Sequence, residues 1–360
     1  MPVLALVIAS LLWGTTGTVA SFLPPEFPRV AVGAATMGIG GVVLFLVNLR
    51  RAVAVIRDRV ARRWLALGLV AVIAYPLTFY PAMELAGVAI GNVLSIGTGP
   101  VFAVIIEWLM ERRRPTGVWL ISAVVATTGI GLLAVGGEGS SAGTGDLLPG
   151  IALGLVAGIA YAASAYSAGR IMRLGHASPP VMGATFGLGA IVLLPILFVT
   201  GDVLLSSPSS LGIVAYLVLG PTLIGYVLFG IGVRALATST VLLITMLEPV
   251  VTTVLAVVVV GERLTVVAWL GMVGILVAIA CITVAALGRS WRMASRSRAD
   301  SAAPASRIRR RIDWRDGHDP SRPPHRRDRT VAAGRSGGLG RRRADRRRAE
   351  RRGDASAPRR

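Results

Sequence analysis

The sequence predicts an all-α polytopic membrane protein. It has ten transmembrane helices arranged as two inverted five-helix repeats, with both termini cytoplasmic. Three observations carry this. The chain holds ten apolar runs of the length that crosses a bilayer, about 20 residues. Features of the first five runs recur in the second five at an offset of 149 residues. Arg is distributed among the loops with a strong bias to one side, as cytoplasmic loops require.

The runs lie at 2–23, 30–49, 64–83, 87–109, 117–136, 149–169, 179–199, 211–233, 237–259 and 266–287. Mean hydropathy is +0.68 and aromatics make up 6%, so the runs are aliphatic and glycine-rich. The first run reads as a membrane helix rather than a cleaved signal, because no basic residue precedes Arg29 and a signal needs a positive segment before its apolar core. The third and fourth runs are almost continuous and are divided by Glu84 and Gly87. Cys281 is the single cysteine, so no internal disulfide forms.

Charge sets the expected orientation. With the N-terminus inside, the inner loops hold 12 Arg: Arg50 to Arg63 contribute six, followed by Arg112, Arg113, Arg114, Arg170, Arg173 and Arg234. The outer loops hold only Arg29 and Arg263. Five helices per repeat is an odd number, so equivalent loops fall on opposite sides of the membrane. The charges follow: the loop at 50–63 has six Arg, and its counterpart at 200–210 has none. The domains are then a first repeat at 1–136, an external linker at 137–148, a second repeat at 149–287 and an Arg-rich tail at 288–360.

The repeat centres on two prolines. One copy reads Gly91-Asn92-Val93-Leu94-Ser95-Ile96-Gly97-Thr98-Gly99-Pro100, the other Thr240-Val241-Leu242-Leu243-Ile244-Thr245-Met246-Leu247-Glu248-Pro249. Ala86 matches Ala235 before the motif, and Thr116 matches Thr265 after it. A proline inside a helix costs about 3 kcal/mol and frees a carbonyl. In a bilayer such a break is tolerated where protein or cavity water satisfies the freed group. Matched interrupted helices in two halves of a membrane chain point to the binding site of a transporter.

Glu248 is the leading candidate for chemistry. A carboxyl at mid-bilayer costs about 2.5–3.5 kcal/mol even on the mildest scale, and such residues face cavities or partners. It is therefore a candidate for carrying a coupling proton; the other role open to it is bridging backbone freed by Pro249. Thr245 and Thr252 share its face at i−3 and i+4. Asn92, Ser95 and Gly99 share one face of the fourth helix and could line a polar cavity opposite it, or bond between helices. Trp13, Tyr75, Tyr161 and Tyr226 sit deep in their runs, which suggests cavity lining or core packing, whereas Tyr80, Trp64 and Trp119 lie nearer run ends and read as interfacial belt residues. Glu107 and Glu111 are one turn apart and are expected to pair with Arg112 to Arg114 at the cytoplasmic surface. The expected substrate-binding set is Trp13, Tyr75, Asn92, Ser95, Tyr161, Tyr226, Thr245 and Glu248, around breaks at Pro100 and Pro249.

Small-residue ladders at Gly150, Gly154 and Gly158, at Ser10, Gly14 and Thr18, and at Gly183 and Gly187 suit close helix packing. They fit contacts within one chain, and a homodimer interface is the other reading. Metal, cofactor and enzyme chemistry are not expected. His occurs only at 176, 318 and 325, without ligand spacing. There is no phosphate-binding loop and no Lys to complete one. No Ser-His-acid set lies in the membrane part.

Leu247-Glu248-Pro249-Val250, followed by Gly261-Glu262-Arg263-Leu264-Thr265, resembles the end of the fourth helix of the five-helix unit in the drug/metabolite transporter superfamily, EamA-like branch. Trp13-Gly14-Thr15 is similar to that family's opening. The first copy departs, with Gly99 where the acid would stand and Glu111-Arg112-Arg113-Arg114 in place of the Gly-Glu-Arg step. The resemblance covers about 1–287. It implies a secondary carrier that moves a small organic solute, an amino acid or other metabolite, often outward across the inner membrane by alternating access. Efflux of drugs or toxic compounds is the alternative within transport. A membrane scaffold or sensor acting through the tail is the alternative outside it.

The tail carries 24 Arg against 8 acids, whereas residues 1–287 carry 14 Arg against 10. Its composition predicts disorder. Contact with anionic lipid headgroups suits it. Nucleic acid does not, because Trp291 and Trp314 stand alone among the arginines.

Overall fold

The computed structural model describes residues 2–24, 28–136, 147–200, 208–260 and 264–302. The expected linker at 137–148 falls almost wholly outside them, as do Gly261-Glu262-Arg263 and residues 303–360 of the tail. The chain divides into a membrane unit, Met1–Arg296, and a second unit, Ser297–Arg360.

Among the described residues, ten helices are long and apolar enough to cross a membrane. In order, the spans are Pro2–Ala20, Val30–Val47, Arg62–Ala86, Ile90–Glu111, Gly117–Gly136, Leu147–Arg173, Ser178–Thr200, Pro208–Ala235, Thr238–Val259 and Val266–Ala286. They fall on the ten apolar runs, because a backbone in lipid must satisfy its own hydrogen bonds and a helix does so within itself. Large apolar side chains such as Ile121, Val124, Phe198 and Val199 lie exposed on the outer faces, as lipid contact demands.

Two elements differ from the sequence expectation. The segment at 50–63 is not all loop: a short helix, Leu49–Arg57, buries Ala52 and Val55 and leaves Arg50, Arg51 and Arg57 exposed. The last helix does not stop near 287 but runs Val266–Ala302. Gly87 does divide the third and fourth spans. Its φ of 88° lies in the left-handed region, where only glycine sits without strain, while Glu84 remains inside the third span.

Small residues bring the spans together. A Cβ on Gly150 would stand 2.6 Å from Ala86 Cβ, and one on Gly154 would stand 2.8 Å from Leu94 Cβ, so the sixth span meets the third and fourth at near-backbone distance. Gly183 and Gly187 face Leu44 and Phe45 across the second and seventh spans. Gly14 faces Val251 across the first and ninth, and Gly129 faces Gly271 across the fifth and tenth. The ladders are thus used within the chain, where dispersion has to replace the absent hydrophobic drive.

Candidate solute cavity

The fourth and ninth spans are broken where the sequence repeats. In the fourth, an α-helical turn ending at Asn92 gives way to a π-helical segment, Val93–Gly97, a turn at Thr98, and a new helix, Gly99–Glu111, with Pro100 in its first turn. The ninth runs Thr238–Thr245, turns at Met246 and restarts as Leu247–Leu255, with Glu248 and Pro249 in the first turn. Side-chain hydroxyls bond backbone carbonyls close to the breaks. Thr98 Oγ1 donates to Leu94 O, Thr127 Oγ1 to Gly97 O at 3.4 Å, and Thr245 Oγ1 to Leu242 O at 2.9 Å. Because that bond uses the Thr245 proton, Tyr161 is the donor in its 3.1 Å bond to Thr245 Oγ1. Glu248 stands at the N-terminus of a half-helix, where the backbone dipole favours negative charge.

A third break was not anticipated. Residues Val218–Gly225 of the eighth span are π-helical around Pro221. Trp13 Nε1 donates to Pro221 O at 2.9 Å, and Thr222 Oγ1 donates to Leu217 O at 3.1 Å. Gly220-Pro221-Thr222 was the signal for it, the same Gly-Pro step as Gly99-Pro100. π-Helical segments inside longer helices occur frequently at functional sites.

Two adjoining cavities lie among these breaks and share Trp13, Thr16, Phe79, Tyr80, Ile96 and Glu248. The smaller, about 120 Å³, adds Tyr75, Tyr161, Pro221 and Tyr226. The larger, about 760 Å³, adds Asn92, Pro249 and Thr252 and reaches Ser21, Leu23 and Pro24 beyond the end of the first span. It therefore runs toward the membrane face opposite the N-terminus, and its size is that of a small-molecule site, about 300–1,000 Å³. The rings form a connected wall: Trp13 packs on Tyr226 at 5.0 Å and on Phe229 at 5.2 Å, and Tyr75 packs on Phe79 at 5.3 Å and on Tyr161 at 5.7 Å. Among the described residues lining both cavities, Glu248 is the only carboxyl, and Arg, Lys and His are absent.

Of the expected set, Trp13, Tyr75, Asn92, Tyr161, Tyr226 and Glu248 line these cavities. Ser95 does not. Regular 3.6-residue winding put it on the Asn92 face, but the π winding over Val93–Gly97 shifts the register. Ile96 faces the cavity instead, and Ser95 is buried with no hydrogen-bond partner. Thr245 is fully buried behind Tyr161 and supports that ring rather than lining the space. Tyr80 is no belt residue. The third span continues to Ala86, which sets Tyr80 deeper than the apolar run implied, and it lines both cavities. Trp119 lies at a span end as expected but is buried against protein rather than facing lipid. Thr16 and Phe79 carried no distinguishing signal in the sequence.

At the opposite end the acids divide. Glu111 accepts from Arg113 at 3.1 Å, Arg170 at 3.4 Å, Arg173 at 3.1 Å and the Tyr166 hydroxyl at 3.1 Å. Arg63 and Arg170 lie 5.2 and 5.1 Å from the ring centre of Trp64, so guanidinium groups stack on this ring at the end of the third span. Glu107 does not pair with the arginines. It is buried and takes the Ser239 N–H at 3.2 Å and the Ser239 hydroxyl at 2.6 Å, capping the first turn of the ninth span. Outside the spans, Asp58 receives His176 at 2.9 Å and the Val60 N–H at 2.8 Å. The hydrogen bond with His176 is the main cause holding its carboxyl below the usual aspartate value.

Comparison with known proteins agrees with this architecture. One solved crystal structure superposes with a TM-score of 0.67 over 79% of this chain and 97% of its own, at 20% identity, which shows a shared fold. An uncharacterized transporter, YwfM, of Bacillus subtilis (strain 168) is 30% identical over 284 residues, covering 76% of this chain and 92% of the relative. The sequence profile of the EamA-like transporter family matches residues 1–135 and 148–284, one segment for each repeat. The chain belongs to the EamA-like transporter family.

Proposed function

We propose that this protein is a secondary active carrier, not an enzyme. It moves a small organic solute across the cytoplasmic membrane by alternating access, with Glu248 carrying the coupling proton. The observation that supports this most is the placement of one carboxyl at the break of the ninth span, in a cavity of about 760 Å³ that reaches one face of the membrane. The solute site comprises Trp13, Tyr75, Asn92, Tyr161, Tyr226 and Glu248, with Pro100 and Pro249 shaping the breaks. Arg bias in the loops puts both termini in the cytoplasm, so the cavity faces outward. The cluster of Glu111 with Arg113, Arg170 and Arg173 then closes the cytoplasmic end. It ties the fourth span of one repeat to the sixth span of the other, and transport in either direction requires it to open.

Cysteine accessibility tests the reading. In a Cys281→Ala background, Thr16→Cys should react with a membrane-impermeant maleimide added outside intact cells, and a cysteine placed after residue 290 should not. A Thr16→Cys protein that is folded yet unreactive from either face would contradict the carrier.

A further inference from the structure

We propose that the solute is an organic monocation, an amine or quaternary ammonium with aromatic or alkyl bulk, and that it and the coupling proton exclude each other at Glu248. This rests on the carrier reading and names its substrate class.

The first ground is charge. Glu248 is the only formally charged group among the described lining residues of both cavities, and every other ionisable group facing it is a tyrosine: Tyr75 and Tyr80 from the third span, Tyr161 from the sixth and Tyr226 from the eighth. The carboxyl lies within electrostatic reach of the Tyr75, Tyr161 and Tyr226 hydroxyls. An anionic solute would meet a carboxylate with no cation to offset it, and isolated charges in such surroundings are costly. The carboxylate of a zwitterion fares no better. The half-helix N-terminus at Gly99 has Pro100 in its first turn, which removes one donor, and the N-terminus at Leu247 is already faced by Glu248.

The second ground is the wall. Trp13, Tyr75, Phe79, Tyr80, Tyr161 and Tyr226 present six rings to one space that holds one acid. Ring faces attract a cation, tryptophan most strongly, and the attraction grows when water is excluded. The third ground is the broken symmetry of the repeat. Gly99 stands where the second copy has Glu248, so the site offers one negative charge, enough for one proton or one monovalent cation but not for both. Entry of the cation therefore displaces the proton.

Equilibrium binding to the purified full-length chain tests this, with tetraethylammonium and tetraphenylphosphonium as cations and tetraphenylborate as an anion of the same shape as the latter. The cations should bind and tetraphenylborate should not. Cation affinity should fall toward tenfold per pH unit on the acid side of the Glu248 titration. Glu248→Gln should weaken cation binding at least tenfold and remove the pH dependence, and Glu248→Asp should keep the pH dependence. Tetraphenylborate binding as tightly as its cationic twin, pH-independent cation binding, or no cation binding by the folded chain would each overturn the proposal. If Thr16→Cys still reacts from outside in that event, only the substrate class falls. If it does not, the carrier reading falls with it.

Discussion

Glu248 and Glu107 are both acids in broken or capped helices, yet they do different work. Glu248 faces a cavity and has room for a ligand, whereas Glu107 is buried and spends its oxygens on Ser239. Removing Glu107 as Glu107→Ala leaves a buried N–H and hydroxyl unpaired, at a cost of about 1–3 kcal/mol. The melting temperature of the protein in detergent should drop accordingly, and an unchanged value would show that water replaces the cap. Asp58 gives a second residue-level prediction. Its folded carboxyl titrates below the ordinary value because of His176, so the stabilisation is present above that ordinary value and is lost as pH falls through the lowered one. His176→Ala should therefore lower the melting temperature at pH above the ordinary aspartate value and lose that effect at pH below the lowered one. Equal losses at both would assign the contact a purely steric role. At this scale the sequence was readable for Glu248, Trp13 and the deep tyrosines, because depth in an apolar run is a property of the chain itself. Glu107 was misread, because its partner Ser239 lies 132 residues away.

The spans were legible as elements because run length and lipid chemistry leave the backbone one solution. The matched Gly-Pro and Glu-Pro steps also located two breaks correctly. What pattern reading misses is winding. Five residues of π-helix between Asn92 and Thr98 turn Ser95 away and Ile96 inward, and the eighth span rewinds around Pro221 in the same manner. The helix at Leu49–Arg57 was hidden because three arginines in nine residues masked its short apolar face. Packing between elements rests on glycine. Gly154→Leu would push into Leu94, within the π segment of the fourth span, where overpacking typically costs about 1–3 kcal/mol. A folded yield and melting temperature equal to those of the unsubstituted protein would mean the two spans are free to separate.

The two ends of the membrane unit differ. Its described ion cluster lies at the end carrying Arg113, Arg170 and Arg173, and its large cavity runs toward the other. Breaking the cluster with Glu111→Gln should shift the population toward opening at the arginine end. External labelling of Thr16→Cys would then slow by about fivefold or more if the coupling is of ordinary allosteric size. An unchanged labelling rate would make the cluster a static anchor. Inversion of the repeats was visible in the loop charges. Composition without periodicity does not say what the arginine tail does.

The most direct test of a Glu248-centred carrier needs no knowledge of its solute. It is the labelling rate of Thr16→Cys across pH, normalised to an exposed cysteine placed at Phe22, with Glu248 intact and with Glu248→Gln. A proton that selects between the two openings makes the normalised rate change with pH by about fivefold or more in the intact protein, and makes it flat in Glu248→Gln. The same pH response in both proteins would contradict a coupling role for Glu248.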